Sequence, residues 1–207
     1  MSKKTTFITI EGLEGSGKSS VINFLRRFLE KRGYSVLVLR EPGSTKVGEK
    51  IRNILLDKTN TKLSPHTELL LYLAARTQLI EEKLVKAFKK YDFIICDRFL
   101  DSTLVYQGYA LGLGDIALQA VEMFSLGIKP DLTLILDVPA KVGLARINVK
   151  DRIESRPIAF HNKLRAGYLK LAKKYPKRIT IINASGKLED IYKRTERVLN
   201  AKLKIKS

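Results

Sequence analysis

Between Gly12 and Ser19 the chain reads G-L-E-G-S-G-K-S, the spacing G-x-x-x-x-G-K-[ST]. Glycines at this spacing let the backbone curl until successive N–H groups point inward as an anion nest. A helix that follows adds the positive end of its dipole. In such a loop Gly12, Leu13, Glu14, Gly15, Ser16 and Gly17 wrap a nucleotide's phosphates. Lys18 brings a cation to the β- and γ-phosphates, and Ser19 offers a hydroxyl to Mg²⁺. A second pair, Asp97-Arg98, closes an apolar run. An acid at a strand end can reach the metal directly or through water, and the guanidinium beside it suits a second phosphate. A third pair, Tyr72 and Arg76, is four residues apart. On a helix both share one face, a ring to stack on a base and donors for its carbonyl. Each feature also has a plainer reading, as a glycine turn, a strand-end ion pair or a packed aromatic.

The elements around these residues support the sharper reading. Phe7 to Ile10 spells a short buried strand, and Val21, Ile22, Phe24, Leu25, Phe28 and Leu29 give helical spacing after Ser19. Further strands are expected at Ser35–Arg40, Phe93–Arg98, Asp131–Asp137 and Arg178–Asn183. The spacing predicts helices over 46–57, from Pro65 to about Lys90, over 101–112 and 115–127, from Pro139 to about Ile147, over 157–174 and from Leu188. The segment 148–156, NVKDRIESR, has weak periodicity and reads as a mobile connector. Strand Phe93–Arg98 is apolar without alternation, so both its faces are covered. Strands alternating with helices predict an α/β, three-layer, doubly wound parallel sheet of five strands, with sites beyond its carboxyl ends. No repeat or linker divides the chain, so 1–207 is expected to be one domain.

Composition narrows the partners. One cysteine, Cys96, excludes an intramolecular disulfide framework and fits a reducing compartment. No apolar h-region and no stretch long enough to cross a membrane is evident, so the cytoplasm is expected. The net charge of +18 suits a nucleic-acid binder. The lysines, however, are spread over many predicted helices and the tail, with no basic stripe interleaved with aromatics. A solvated basic surface that draws in anionic nucleotides is the reading taken, with no nucleic-acid partner.

Taken in order, GLEGSGKS, REPGSTKVGEKIR (40–52), ELLLYLAARTQ (68–78), DRFLDSTLVYQG (97–108), KPDLTLILDV (129–138), DRIE (151–154) and FHNKLRAGYLKLA (160–172) resemble the bacterial type of the thymidylate kinase family. The resemblance implies a P-loop NTPase-type fold and transfer of the ATP γ-phosphate to dTMP with Mg²⁺, by a homodimer. It implies Arg98 as the clamp on the dTMP phosphate, Asp97 as support for the metal, and Glu14 near the acceptor sugar. Arg40 and Arg52 flank the REPG loop as supports for the acceptor phosphate, and Glu41–Pro42 is expected to be cis. Tyr72 stands where the family has Phe, and Ala75 where it often has Asp, which would leave Arg76 without a neighbouring acid. Thr103 is expected at the pyrimidine edge, Tyr106 and Gln107 against the sugar 2′ position, and Tyr168 closing the acceptor site. The connector 148–156 resembles the family's lid. Gly15 stands where some members carry arginine, so the lid should supply the cation: Arg152 first, Arg146 second, with Lys150 and Arg156 as further candidates. The rivals are another nucleotide kinase and a P-loop nucleic-acid-binding ATPase. A GTPase switch is disfavoured by the lack of an N-K-x-D motif.

Overall fold

A computed structural model describes residues 4–149, 151–203 and 205. Five strands form one all-parallel sheet: β1 (Thr6–Gly12), β2 (Val36–Arg40), β3 (Phe93–Asp97), β4 (Leu132–Asp137) and β5 (Ile179–Asn183). Their spatial order is β2-β3-β1-β4-β5, so β1, which delivers the glycine loop, lies at the centre. The register pairs Ile10 with Asp97 and with Leu134. This brings the carboxyl end of β3 level with the end of β1, which is how Asp97-Arg98 comes to stand beside the loop.

Side chains alternate across the sheet, and the three central strands, β3, β1 and β4, are buried on both faces. On one face Ile8, Ile10, Ile95, Leu134 and Leu136 pack on Val21, Leu25 and Leu29 of α1 (Lys18–Glu30) and on Ile191 and Leu199 of α9 (Leu188–Lys202). On the other, Phe7, Ile94 and Cys96 pack on Leu73 and Leu79 of α3 (Pro65–Leu79) and on Val121 of α6 (Gly114–Phe124). A third cluster sets Leu13, Val105, Tyr106 and Ile135 against Leu164 and Tyr168 of α8 (Ile158–Lys174). Burial keeps the Cys96 thiol pushed far up and protonated, a packing residue.

Two long helices are not uniform. After α3 the chain widens into a π-helical stretch, π1 (Ile80–Leu84), and ends in one α turn, α4 (Val85–Ala87). The expected helix over 101–112 is α5 (Leu100–Thr103) followed by π2 (Leu104–Ala110). The remaining helices are α2 (Lys46–Leu56), capped by the Thr45 hydroxyl, and the short α7 (Ala140–Ala145). Glu41–Pro42 is cis, as expected. Among the described residues no helix is long and apolar enough to cross a membrane.

Candidate active site

The loop from β1 into α1 turns at Gly15 and Gly17, with φ of 69° and 92°. A Cβ at Gly15 would lie 2.0 Å from the carbonyl oxygen of Gly143 on α7, so nothing larger than hydrogen fits. Lys18 opens α1, and its Nζ donates to the carbonyls of Leu13 at 2.9 Å and Gly12 at 3.3 Å. Burial, with help from the Arg98 charge, pushes the Lys18 ammonium down to about 8. Arg146, just past α7, donates from a guanidinium nitrogen to the Gly15 carbonyl at 3.2 Å and so stands against the loop.

Glu14, Lys18, Ser19, Arg146, Asp97 and Arg98 open on one cavity of about 660 Å³, shared with Arg40, Arg52, Tyr72, Arg76, Thr103, Tyr106 and Gln107. At its centre is Arg98, whose backbone is left-handed with φ of 67°. Its guanidinium donates to Glu14 Oε1 at 2.9 Å and to Ser102 Oγ and the Tyr168 hydroxyl at 3.1 Å each. Tyr106 also donates to Glu14 Oε1, and its ring centroid lies 5.0 Å from Arg98. Burial alone would raise the Glu14 carboxyl, but the Arg98 charge overrides it and holds the group well below the usual carboxylate range. Glu14, an acid within the glycine loop, is thus half of an ion pair with the guanidinium expected to clamp the second phosphate.

Across the cavity Arg76 is buried and bonds Glu41 and, at 2.7 Å, the Thr103 hydroxyl through one nitrogen. Its Nε and other terminal nitrogen are buried without a hydrogen-bond partner. Tyr72, one turn earlier, faces the same cavity, as the spacing of four predicts. Burial pushes the Tyr72 phenol up. Glu41, from the loop after β2, supplies the acid that Ala75 does not, which corrects the expectation of an unaccompanied Arg76. At the mouth, Arg40 pairs with Glu49 at 2.9 Å, while Arg52 donates only to the Pro42 carbonyl, at 3.3 Å.

With this geometry in view, the chain can be compared with known proteins. The family model for thymidylate kinase matches residues 10–195. The chain belongs to the thymidylate kinase family. It is 47% identical over 193 residues to a thymidylate kinase of Thermoanaerobacter sp. (strain X514), spanning 92% of this chain and 95% of that protein. To a thymidylate kinase of Clostridium novyi (strain NT) it is 41% identical over 195 residues, spanning 91% and 95%. The solved thymidylate kinase from Ehrlichia chaffeensis matches with a TM-score of 0.78 at 29% identity, covering 95% of this chain and 99% of that one.

Within this family member four sequence expectations need correction. Arg152 does not reach the cavity. Its Nε donates to the Leu55 carbonyl and a terminal nitrogen to Glu68, both at 2.7 Å, because that buried carboxylate offers a better partner than solvent. Tyr168 stands behind Arg98 rather than on the cavity wall, donating to Glu11 Oε2 at 2.9 Å. Gln107 is anchored to Glu68 on α3, on the Tyr72–Arg76 side, and not to the Glu14 group that Tyr106 joins. Of the segment expected to be a mobile connector, residues 151–156 are docked: Arg152 N donates to the Leu56 carbonyl at 3.1 Å, and Asp151 and Glu154 cap each other's backbone N–H groups, while Asn148 and Val149 are exposed. Lys150 lies outside the described residues.

Three working residues escaped the sequence reading. Glu11, fully buried, accepts from Phe99 N at 2.8 Å, Ser102 Oγ at 2.5 Å and the Tyr168 hydroxyl, and so props up the group that holds Arg98. Burial pushes its carboxyl up to about 7 against the pull of Arg98. An acid inside the apolar string FITIEG was the available signal. His161 is buried with Nδ1 3.6 Å from Glu14 Oε2. Glu68 lies four residues before Tyr72, a spacing that would have put it on the same face. For Mg²⁺, Ser19 and Asp97 fit: both border the cavity beside Lys18, and Asp97 Oδ1 is buried without a hydrogen-bond partner. One hydroxyl and one carboxylate suit an ion that keeps most of its waters and takes the rest of its shell from phosphates.

Proposed function

We propose that this chain transfers the γ-phosphoryl group of ATP to dTMP, giving ADP and dTDP for the supply of dTTP to DNA synthesis. The observation that carries the reading is Arg76. It is a buried arginine with two unpartnered nitrogens, next to a half-buried ring, in the same cavity as a phosphate loop and a second phosphate clamp. Buried donors without partners are expensive, so the pocket is made for a ligand with acceptors.

The loop N–H groups of residues 12–19 and Lys18 hold the donor's β- and γ-phosphates, with Arg146 above them. Arg98, aimed by Ser102, Tyr168 and Glu11, takes the acceptor phosphate, and Arg52 and Arg40 at the mouth assist it. Glu14 and Tyr106 border the acceptor sugar, Tyr72 stacks on the base, and Arg76 with Thr103 and Gln107 bonds its edge. Magnesium, held by Ser19 and Asp97, supplies charge neutralisation at the transferred group. The protein's own contribution is to set two anions end to end and exclude water, which suits a transfer that needs positioning more than covalent help. The resemblance brings with it a homodimer and a cytoplasmic setting. In support of the dimer, Leu70 on α3 and Ile116 and Met123 on α6 are exposed apolar side chains on two helices that pack together.

A coupled ADP-release assay with ATP-Mg²⁺ against a panel of nucleoside monophosphates tests the reading. Fast turnover with dTMP and little with purine monophosphates is expected. Turnover of ATP only on addition of DNA would replace it with the nucleic-acid-dependent ATPase.

A further inference from the structure

Glu68 is fully buried in α3 and does not border the cavity, yet three donors converge on it. Oε1 accepts from Gln107 Nε2 at 2.8 Å. Oε2 accepts from terminal nitrogens of Arg152 and Arg156, each at 2.7 Å. One carboxylate therefore joins a cavity-lining amide from π2 to two cations of the 148–156 segment. The attachment is reinforced on the lid side. Arg152 also bonds the Leu55 carbonyl at the end of α2, and the Arg156 guanidinium lies 4.4 Å from the Phe160 ring centroid. A carboxylate this deep is costly to desolvate unless fully paired. Leucine would fill the same helical position without that cost, so packing alone does not account for Glu68.

We propose that Glu68 is a positioning residue with two outputs: it sets which face of the Gln107 amide reads the acceptor base, and it tethers the lid. The proposal deepens the acceptor-site reading above and rests on it. A carboxylate between two guanidinium groups only accepts. Gln107 must then turn its NH₂ toward Glu68, which leaves its Oε1 as the acceptor it brings to the cavity that Arg76, with two unpartnered nitrogens, also lines. An acceptor next to donors matches a pyrimidine edge with a ring N–H beside a carbonyl, the edge of thymine or uracil. Cytosine offers an unprotonated ring nitrogen beside an amino group and mismatches both. Because the lid arginines lean on the same carboxylate, an occupied base pocket and a seated lid reinforce each other.

The test compares wild type with Glu68→Gln and Gln107→Ala, reading kcat/KM for dTMP and dCMP and the rate of trypsin cleavage after Arg152 with and without dTMP. Glutamine at 68 can present either an NH₂ or an oxygen, so the Gln107 amide loses its fixed sense. The dTMP-to-dCMP preference is expected to fall by about tenfold, the upper range for one hydrogen bond between neutral groups, chiefly through the dTMP KM. Cleavage after Arg152 is expected to speed up in the same variant. In Gln107→Ala, which leaves the arginine tether in place, the preference falls but basal cleavage stays slow, and dTMP no longer slows it further. Should Glu68→Gln fold poorly, Glu68→Asp keeps an acceptor-only group on a shorter arm, and faster cleavage with the dTMP preference retained is expected. The proposal is overturned if wild type phosphorylates dTMP while the Glu68 variant keeps both its base preference and its cleavage rate, or merely loses stability. A wild type that ignores dTMP sinks the functional reading instead, and the basal cleavage rates still report on the tether.

Discussion

Arg76 and Lys18 line one cavity, and in the proposed reading Arg76 serves the acceptor base and Lys18 the donor phosphates, so their substitutions should separate cleanly. Arg76→Ala is expected to raise the KM for dTMP far more than that for ATP, measured by initial rates with both substrates varied; equal effects would relocate the base pocket. Lys18→Ala should lower turnover by about 10²–10³, as the loss of one aimed charge does. Lys18 also sets a pH dependence. Its ammonium is depressed to about 8 from 10.5, so in the free enzyme the charge is present below that value and lost above it. A pH profile of kcat/KM for ATP should therefore fall as pH rises through about 8, since that parameter reports the free enzyme. Stability moves the other way. Between those two values the unfolded chain binds the proton that folded Lys18 has given up, so this residue's contribution grows with pH and is lost as pH falls through 8. The pairing of Tyr72 with Arg76 was legible because spacing on one helix is a local property. The partner Glu41 was not, because it stands 35 residues away and only folding brings it there.

At the scale of elements, the glycine loop and α7 meet backbone to backbone. A Cβ on Gly143 would approach the Glu14 carbonyl to 2.5 Å, the mirror of the contact at Gly15. Gly15→Ala, with its positive φ, is expected to cost well over 1 kcal/mol and to weaken ATP binding at least tenfold, read by calorimetric titration and thermal unfolding. Wild-type affinity in that variant would mean that α7 moves away freely. The strands were readable because a buried parallel strand is a continuous apolar run, and the loop because its glycines sit at fixed spacing. The π stretches were not, since one extra residue per turn leaves an apolar face nearly intact. π2 nevertheless carries two cavity-lining residues to different partners: Tyr106 and Gln107 are adjacent in sequence, yet one joins Glu14 and the other Glu68. The order of residues 151–156 was hidden for a different reason. Its polar residues gave no periodicity, and what orders them is a carboxylate some eighty residues earlier.

At the scale of the whole molecule, the sheet is crossed by a polar line that has no part in the cavity. Asp101, fully buried, takes Arg178 in a fork at 2.6 and 2.8 Å and accepts from Thr133, which meets Thr9 on the central strand. Asp101→Ala should lower stability by about 3 kcal/mol, the lower end for a broken buried pair because Arg178 keeps some access to water. For a chain of this length that is a fall in Tm of roughly 6–12 °C in a melting curve. An unchanged Tm would show that water replaces the pair. The excess of positive charge draws every small anion toward the protein, wanted or not. The ion pair between Arg98 and Glu14 answers that difficulty. While the cavity waits, its strongest cation already has a built-in counter-ion, so a stray sulfate or orthophosphate gains little by settling there. A ligand that also carries a sugar and a ring would have further contacts in the cavity, from Tyr72, Arg76 and Thr103, to set against that pairing.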